Sequence, residues 1–445
     1  MDLRTLGKYM IDHGVVALHA KRLAANDTSK QQIYLAGSFG LLNLLPSGKP
    51  VKRPSERGRE VLHAALDLAW IGPHGELVPA PAAKLVLYPQ YPEVRFSGFL
   101  RGARGARVAL LDEDARTAGR YLLFGVRGDG RIIAHVVGPD EPIARELDAD
   151  RESAGEGRVL RSIPLPWKDF GDEVFERLGE IARAGWLDSR RLRSDGSSVP
   201  CEAQNCGGYT LEALLGIAPN SRSEPDYLGW EIKQFAVASL DVPRARSAIT
   251  LFTPEPDHGV YAESGVIEFV RRFGYADTKA RAGRWNFGGA YRLGAASART
   301  GLSLGMSGFD VTTGKVTTID GAITLRGPDG TVAAGWSFVS LLDHWRRKHA
   351  QAVYVPSVTR VVAARQYRFG NTVFVGQGTD FGRFLSAVSQ QSVYYDPGIK
   401  VVTGPGRAVD TKKRSQFRTR FAGLQRLYAS FEQRWVGSRG TQASG

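Results

Sequence analysis

The first part of the chain, residues 1–137, alternates short apolar runs with glycine and proline. Apolar runs of about four to eight residues between such breakers predict β-strands, and strands at this spacing are typical of a small barrel or sandwich. One amphipathic segment in this part, RGREVLHAALDLAW, predicts a helix. The runs that predict strands are QQIYLA, AKLVLYP, RVALLD, RYLLFGV and RIIAHVV.

From Ile163 onward, helical and strand periodicities alternate. TLEALLGI predicts a short helix that Thr210 caps and Gly216 ends. YLGWEIKQFAV and SAITLFT predict strands, and the alternation continues through GVIEFVRRFG, SFVSLLDHWRRKH and AVYVP. A longer helix is predicted for FGDEVFERLGEIARAGW, whose apolar stripe consists of Val174, Phe175, Leu178, Ile181 and Ala182.

An acidic segment lies between these two parts. From Gly138 to Gly157 the chain has seven acidic and two basic residues, together with glycine and proline. This composition is typical of a linker. The sequence therefore predicts a β-rich domain at 1–140, an acidic linker at 141–162 and an α/β-type domain at 163–445.

The charge of the chain indicates the kind of partner. Its 445 residues carry a formal net charge of +14, which favours a polyanion, and nucleic acid is the commonest one. A genome that favours arginine codons would give the same excess. The basic residues are clustered, however, with nine basic against two acidic residues from Pro405 to Gly440. Such clustering is closer to a binding footprint than to a uniform surface.

Several classes of protein are disfavoured. No run of about eighteen apolar residues is present, and the start lacks the apolar core of a secretory signal, so we expect a cytoplasmic protein without a membrane span. Cys201 and Cys206 fit no zinc-ligand spacing and are expected to be buried or idle thiols. His344 and His349 do not have the spacing of a zinc-protease helix, and phosphate-loop and dinucleotide-binding fingerprints are absent.

Candidate chemistry lies in EPDYLGWEIKQ, where charges interrupt an apolar strand pattern. Side chains two apart on a strand share a face, so Glu231 and Lys233 would project together. Asp226 precedes them at a turn and could bring a second carboxylate to the same edge. Two carboxylates and a backbone carbonyl are hard oxygen ligands that suit Mg²⁺, and a nearby lysine can orient an attacking water.

The short pattern alone leaves two interpretations open. Asp-x-Lys also occurs at Asp277–Lys279 and at Asp410–Lys412, so such matches arise by accident. Those two lie in polar surroundings without a preceding Pro-Asp or a strand pattern. A purely structural ion pair at residues 226–233 explains the motif as well as a metal site does.

The surrounding sequence resembles a known family. GGYTLEALLGIAPNSRSEPDYLGWEIKQF, followed by AITLFTPEP, is similar to the catalytic segment of the MvaI/BcnI restriction endonucleases, which are relatives of the mismatch-repair nickase MutH. The resemblance implies a PD-(D/E)xK fold with a mixed β-sheet flanked by helices. It implies Asp226 and Glu231 as Mg²⁺ ligands, Lys233 beside the attacking water, and Glu212 as an additional acidic residue. The alternative for Glu212 is an exposed helical glutamate.

The C-terminal basic segment KKRSQFRTR resembles the family's recognition segment, which enters the DNA groove. Arg414, Gln416 and Arg418 are therefore the best candidates for base or phosphate contacts. Arginine pairs with guanine and glutamine with adenine through two hydrogen bonds each. The alternative is a solvated basic helix end.

The first domain resembles the N-terminal DNA-binding pseudobarrel of the EcoRII restriction enzyme. AKRLAANDTSKQQIYL matches its first recognition arm, and PEVRFSGFLRG resembles the second, without the polar and tryptophan residues expected there. An ordinary turn and a basic edge strand are the alternative. The residues that the resemblance assigns to DNA binding are Arg22, Asn26, Asp27, Thr28, Arg95 and Arg101.

Together the resemblances imply an α+β chain that acts as a Type II restriction endonuclease on double-stranded DNA. They imply a monomer that cuts one strand at a time, a CC-x-GG type target, two site copies bound per chain, and a companion DNA methyltransferase for the same site. The N-terminal domain would anchor the protein or serve as an effector site. A MutH-like repair nickase and a non-catalytic DNA-binding regulator are the alternatives.

Overall fold

The structure is a computed structural model. It describes the chain except for residues 38–40, 43, 55–59, 73, 89–92, 104–107, 113–116, 155–158, 164–169, 204, 218–226, 228–229, 278–282, 319, 349–350, 404–408 and 437–445, and except for the side chains of residues 108–109, 150–154, 170–172 and 346–348.

The chain divides into two compact units. The first comprises Met1–Leu178 with Tyr227–Gly229, and the second comprises Gly179–Asp226 with Trp230–Gly445. The predicted domain boundaries at residues 140 and 162 stay a prediction. No helix among the described residues is long and apolar enough to cross a membrane.

The first unit consists mainly of strands, as the sequence predicts. Its elements are α1 (Leu3–Asp12), β1 (Val15–Arg22), β2 (Gln32–Ala36), β3 (Val51–Pro54), β4 (Glu60–Ala65), β5 (Leu68–Ile71), β6 (Leu77–Pro79), β7 (Lys84–Tyr88), β8 (Glu93–Ser97), β9 (Tyr121–Arg127), β10 (Ile132–Val137), α2 (Pro142–Ala154), β11 (Arg161–Ile163) and α3 (Phe170–Arg183), which contains the division between the units.

These strands form two sheets. The six-stranded sheet has the order β11-β1-β9-β10-β5-β6, and the five-stranded sheet has the order β2-β8-β7-β4-β3. The pairing of β10 with β5 is parallel, and the other pairings of both sheets are antiparallel. Apolar residues that alternate along such strands turn one face of each sheet towards a core.

Two element predictions for this unit are wrong. The described part of RGREVLHAALDLAW, from Glu60 onward, forms β4 and β5 rather than a helix, because its apolar residues also suit buried strands on either side of Asp67. The described part of RVALLD contains a 3₁₀ helix at Val108–Leu111 instead of a strand. The acidic segment contains α2, and its role as a linker between domains stays a prediction.

Helix α2 belongs to the core of the first unit. Its apolar side chains Ile143 and Leu147 are one turn apart and buried in one cluster with Leu6 and Met10 of α1. This spacing of four residues places each pair on one helix face. The acidic residues of α2 mask this stripe in the sequence, which explains why composition suggests a linker.

The second unit follows the predicted α/β alternation. Its remaining elements are β12 (Leu187–Asp188), β13 (Arg190–Leu192), β14 (Ser198–Pro200), α4 (Cys206–Leu214), β15 (Glu231–Ala236), β16 (Ile249–Phe252), α5 (Val260–Phe273), β17 (Tyr275–Ala276), β18 (Arg284–Gly288), β19 (Ser303–Ser307), β20 (Phe309–Asp310), β21 (Lys315–Val316), β22 (Ala322–Arg326), β23 (Val332–Ser337), α6 (Phe338–Lys348), β24 (Gln351–Val361), β25 (Arg365–Phe369), β26 (Thr372–Gln377), α7 (Phe381–Ser389), β27 (Val393–Tyr395), β28 (Gly398–Val402), β29 (Asp410–Lys412), β30 (Phe417–Thr419) and β31 (Ser430–Trp435).

A six-stranded mixed sheet lies at the centre of this unit. Its main path is β12-β25-β24-β26-β31, and β15 pairs with β24 in parallel. Smaller sheets surround it, including β16-β30-β27 and β17-β18-β28-β29. The predicted α+β class, with a mixed sheet flanked by helices, is therefore confirmed.

An aromatic core supports the sheet β16-β30-β27. The rings of Phe252 and Phe417 are stacked with centroids 5.5 Å apart, and Trp336 lies edge-on to Tyr395 at 4.6 Å and to Phe417 at 5.3 Å. Aromatic pairs of this kind contribute about 0.5–1.5 kcal/mol each beyond their buried area. The segment that leads into β30 is therefore fixed to the interior.

Two sequence expectations near α4 need correction. Cys201 and Cys206 form a disulfide and are not idle thiols. The bond links Cys201, which precedes α4, to Cys206, the first residue of α4. Thr210 does not cap the helix, because α4 already begins at Cys206. The side chain of Thr210 is buried instead and accepts a hydrogen bond from the Arg190 backbone N–H at 3.1 Å. Gly216 follows the helix with φ of 77°, as a helix-ending glycine does.

Candidate active site

Strand β15 carries the central residues of the candidate site. It pairs in parallel register with β24, so that Glu231 lies opposite Ala352 and Lys233 opposite Tyr354. Ile232 and Phe235 are buried and hold the strand in the sheet. Parallel strands normally occur inside a covered sheet, and this explains how a charged pair comes to lie in a buried environment.

Glu231 and Lys233 form a close ion pair on this strand. Lys233 Nζ donates to Glu231 Oε1 at 2.6 Å, and both side chains are largely buried, with 2 % of Glu231 and 17 % of Lys233 exposed. Removing either charge alone would leave the other one buried without its partner, which costs several kcal/mol. The predicted common face of these two side chains is therefore present.

Two tyrosines lie near the pair, and sequence analysis did not identify them. The hydroxyl groups of Tyr354 and Tyr428 are 2.8 Å apart in the interior. Burial above all, then the Tyr428 hydroxyl and the Glu231 carboxylate, raise the pKa of Tyr354 well above its usual value. Burial likewise raises the pKa of Tyr428, and the charge of Glu231 adds to this rise. Both phenols are therefore neutral, and one of the two hydroxyls donates to the other.

Helix α4 packs against β15 and carries Glu212. Glu212 is half-buried on this helix, and its role as an additional acidic residue stays a prediction. The approach of helix and strand is close at Gly207, where an added methyl carbon would lie 2.7 Å from Gln234 Oε1. Gln234 Nε2 in turn donates to the buried hydroxyl of Ser357 at 2.8 Å. Gly207 and Ser357 are thus positioning residues that the motif did not reveal.

Asp226, the second predicted ligand, lies outside the described residues. Among the residues that are described, no group of three or more His, Cys, Asp and Glu side chains could hold a metal ion. The chemistry of the described donor nevertheless fits Mg²⁺, which binds proteins through one or two carboxylates and completes its shell with waters and substrate phosphates. Glu231 supplies one such carboxylate.

The predicted DNA-contact segment KKRSQFRTR is partly buried in the interior of the second unit. It contains β29 and β30 rather than a helix end, and β30 is the middle strand of its sheet. Gln416 is buried and its Oε1 accepts from the Thr250 hydroxyl at 3.3 Å. Arg418 forms an ion pair with Asp396 at 2.6 Å, while Arg414 is exposed. Base contacts by these three residues stay a prediction, and Arg414 alone is at the surface.

In the first unit, the run from Lys21 to Thr28 folds back on itself. Asp27 forms an ion pair with Lys21 at 3.1 Å and accepts from the Ala24 backbone N–H at 2.8 Å. Thr28 is fully buried, whereas Asn26 is exposed.

The predicted arginines of this unit lie at its surface. Arg22 is exposed and pairs with Asp148 of α2 at 3.0 Å. Arg95 contacts Glu93 and lies over the Tyr88 ring at 5.4 Å, and Arg101 is exposed at a turn. DNA binding by this unit stays a prediction.

Comparisons with known proteins address the second unit. A family model of the MvaI/BcnI restriction endonuclease family matches residues 175–428, more than half of the chain. Two solved structures are similar: a restriction endonuclease MvaI–cognate DNA substrate complex (15 % identity, TM-score 0.46, 60 % of this chain and 99 % of that chain covered), and restriction endonuclease MvaI in the absence of DNA (14 %, 0.33, 60 % and 98 %). A comparison with curated proteins found no match.

The matched range contains every element described around the candidate site, namely α4, β15, β24 and Tyr428. The resemblance predicted for the second domain is confirmed, and that of the first domain to the EcoRII pseudobarrel stays a prediction. The chain belongs to the MvaI/BcnI restriction endonuclease family.

Proposed function

We propose that this protein is a sequence-specific Type II restriction endonuclease that hydrolyses phosphodiester bonds of double-stranded DNA with Mg²⁺. The observation that carries the proposal is the buried pair of Glu231 and Lys233, 2.6 Å apart on a strand inside the family segment. A buried charged pair is costly to keep, and a catalytic role explains its retention at this place.

Glu231 and Asp226 would hold the metal ion. When bound, Mg²⁺ would act as a Lewis acid that offsets the negative charge developing on the phosphate. Lys233 contributes a positive charge held in place by its contact with Glu231, beside the position of the attacking water. Burial raises the pKa of Tyr354 and of Tyr428, so both hydroxyl groups stay protonated near the Glu231 carboxylate.

Finer properties of the enzyme follow from the same proposal. The chain would act as a cytoplasmic monomer, cut one strand at a time and read a CC-x-GG type target. The first unit would bind a second copy of the target through Arg22, Asn26 and neighbouring residues, as an anchor or as an effector site. A companion methyltransferase would protect the same sequence in the cell.

Plasmid cleavage tests the proposal. Purified full-length protein with Mg²⁺ should convert supercoiled plasmid to linear fragments with defined ends, and sequencing of those ends gives the target. Lys233→Ala and Asp226→Ala should abolish cutting while binding of the plasmid persists. The matched control is Lys315→Ala, an exposed lysine on β21, which should cut as the wild type does.

The outcomes separate the alternatives. Equal cutting by the Lys233 variant and the wild type would refute the assigned site. Nicked product that never becomes linear would favour a repair nickase, and DNA binding without any cutting would favour a regulator. Stimulation of a single-site plasmid by a short duplex carrying the target would support the effector role of the first unit.

A further inference from the structure

A basic cavity lies on one face of the four-stranded sheet β17-β18-β28-β29 in the second unit. Its volume is about 540 Å³, within the roughly 300–1,000 Å³ typical of ligand sites. The register of the sheet places four lining residues directly opposite one another, one on each strand. In order across the sheet they are Tyr275, Asn286, Lys400 and Lys412.

This row has the dimensions of a nucleotide. Adjacent strands are about 4.8 Å apart, so the row extends over roughly 14 Å. It carries an aromatic ring at one end, an amide beside it and two amines at the other end. An aromatic face and an amide suit a base, and amines suit a phosphate.

The two lysines at the end of the row are costly for the isolated sheet. Lys400 and Lys412 lie directly opposite each other on antiparallel strands, and like charges in this arrangement are destabilising. Asp410 offsets the repulsion in part through its contact with Lys400 Nζ at 3.2 Å, although Asp410 is mostly exposed. A phosphate between the two amines would remove the repulsion.

The floor of the cavity holds a third cation in a fixed position. Arg284 Nε donates to Asn286 Oδ1 at 2.9 Å and lies 3.3 Å from Asp277 Oδ1. Asn286 Nδ2 donates to the same Asp277 oxygen at 2.9 Å, which closes a network of three side chains. These contacts use Nε of Arg284, so the planar fork of its terminal groups is oriented in advance for an anion.

A fourth cation covers the aromatic end. The guanidinium of Arg299 lies over the Tyr275 ring, 4.6 Å from its centre. Stacked guanidinium and phenol groups present a flat surface on which a base can stack. The cavity lining therefore combines four cations and one buried carboxylate with an aromatic ring, and this combination suits a phosphate that is joined to a planar base.

We propose that this cavity binds one nucleotide of a DNA strand, with its phosphate between Lys400 and Lys412 and its base towards Asn286 and Tyr275. The inference rests on the proposed function, which supplies DNA as the substrate. The cavity is a DNA contact surface in addition to the KKRSQFRTR segment predicted from the sequence. Lys412 is the residue that the cavity and that segment have in common. The nucleotide that enters the cavity has its base turned out of the duplex stack, and the cavity is a binding site and not a catalytic centre.

Binding of DNA to full-length protein tests the proposal. The probe is a short fluorescein-labelled duplex that carries the mapped target, measured by anisotropy without Mg²⁺ over a range of salt concentrations. The double variant Lys400→Ala/Lys412→Ala should bind about tenfold more weakly, and its plot of log Kd against log salt concentration should be less steep by about 1, as for one lost phosphate contact.

Two further variants sharpen this result. Asp410→Asn removes the competitor for Lys400, so it should bind DNA more tightly than the wild type. Lys315→Ala, which removes an exposed lysine elsewhere in the same unit, should leave the salt dependence unchanged. Circular dichroism and thermal melting should show that all these surface variants are folded.

A methylphosphonate scan locates the contact on the DNA. For the wild type, a methylphosphonate at one specific phosphate of the duplex should weaken binding. For Lys400→Ala/Lys412→Ala, a methylphosphonate at that same phosphate should cause no further loss of affinity. Equal effects at every position in both proteins would overturn the proposal.

The failures can be told apart. If the wild type neither binds nor cuts DNA, the proposed function itself is wrong. If it binds and cuts, while the double variant and Lys315→Ala have the same salt dependence, only the cavity assignment is wrong. If deoxynucleoside monophosphates bind in a lysine-dependent way while duplex affinity is unchanged, the cavity is a small-molecule site and the DNA assignment is overturned.

Discussion

Two regions of this chain place a lysine and a carboxylate together in the interior, and their surroundings differ. On β15, Glu231 and Lys233 project from one strand face beside Tyr354 of the partner strand. In the first unit, Lys21 and Asp27 meet across a turn, and Asp27 also accepts the Ala24 backbone N–H. The distances are similar, 2.6 and 3.1 Å.

The difference shows that a buried ion pair is not by itself a functional signal. Asp27 completes a turn by satisfying a backbone group of its own loop, which is a structural task. Glu231 pairs instead with a side chain two residues along its own strand, inside the segment that the family model matches. The place of a charge in the fold and in the family segment therefore indicates function better than burial alone.

The largest expected effect contrasts the two carboxylates. Glu231→Gln keeps the shape but removes the charge, and it should lower plasmid cleavage by about 10³-fold or more, because a metal ligand contributes several kcal/mol to catalysis. Asp27→Asn should lower the free energy of unfolding by about 2 kcal/mol and lower the cleavage rate by a few-fold at most, through weaker DNA binding by the first unit. Cleavage kinetics and urea unfolding measure the two effects. Equal losses of activity in both variants would remove the distinction.

A pH titration of stability tests the burial of His19 on β1, the strand that also carries Lys21. Burial lowers the pKa of His19 from 6.5 to about 4, and its Nδ1 lies 3.1 Å from Ser162 Oγ. Between these pH values the unfolded chain binds a proton that the folded chain excludes. The stability present above pH 6.5 should therefore fall by up to about 3 kcal/mol as the pH decreases towards 4.

The matched variants for this titration are His19→Gln and His74→Gln. His19→Gln should remove most of the pH dependence of the first unit's melting temperature between pH 6.5 and 4. His74 is exposed, so the melting temperature of His74→Gln should depend on pH as that of the wild type does. A melting profile of His19→Gln that still declines as in the wild type would show that another group is responsible.

The smallest expected effect concerns the support of β15 by α4. Gly207→Ala should displace the Gln234 amide from Ser357, because the new methyl group would lie 2.7 Å from Gln234 Oε1. We expect a loss of about 1 kcal/mol in stability and a several-fold lower cleavage rate. At Gly208 an added methyl group meets no atom within 4 Å, so Gly208→Ala should be neutral or stabilising by helix propensity. Cleavage assays and thermal melting on both variants measure the contrast.

Strand β15 was predictable from sequence because several local signals agree there. Pro-Asp, an alternating apolar pattern and Glu-x-Lys all indicate one strand with two charges on one face, and β15 has this form. The tyrosines beside it were not predictable, since the register with β24 depends on a strand more than a hundred residues later. Parallel pairing leaves no turn signal in the sequence that would fix such a register.

Misassigned elements have equally specific causes. The apolar residues of β4 and β5 fit helical and strand periods alike, and only the sheet decides between them. Helix α2 was hidden by its acidic residues, although Ile143 and Leu147 have helical spacing. Gln416 was assigned to the DNA groove through the resemblance of KKRSQFRTR to the family's recognition segment. That role stays a prediction, and the structure buries Gln416 next to Phe417 of the aromatic core.

The parallel pairing of β15 with β24 has a consequence for the living cell. While the ribosome is still making the chain, Glu231 and Lys233 emerge long before the strand that shelters them, and β24 itself is bordered by β26, which pairs with the late strand β31. Contacts between distant segments form slowly and only after the intervening chain exists. If the proposed site is correct, a nascent or prematurely terminated polypeptide should lack nuclease activity, because the strands that complete the sheet around Glu231 are made last.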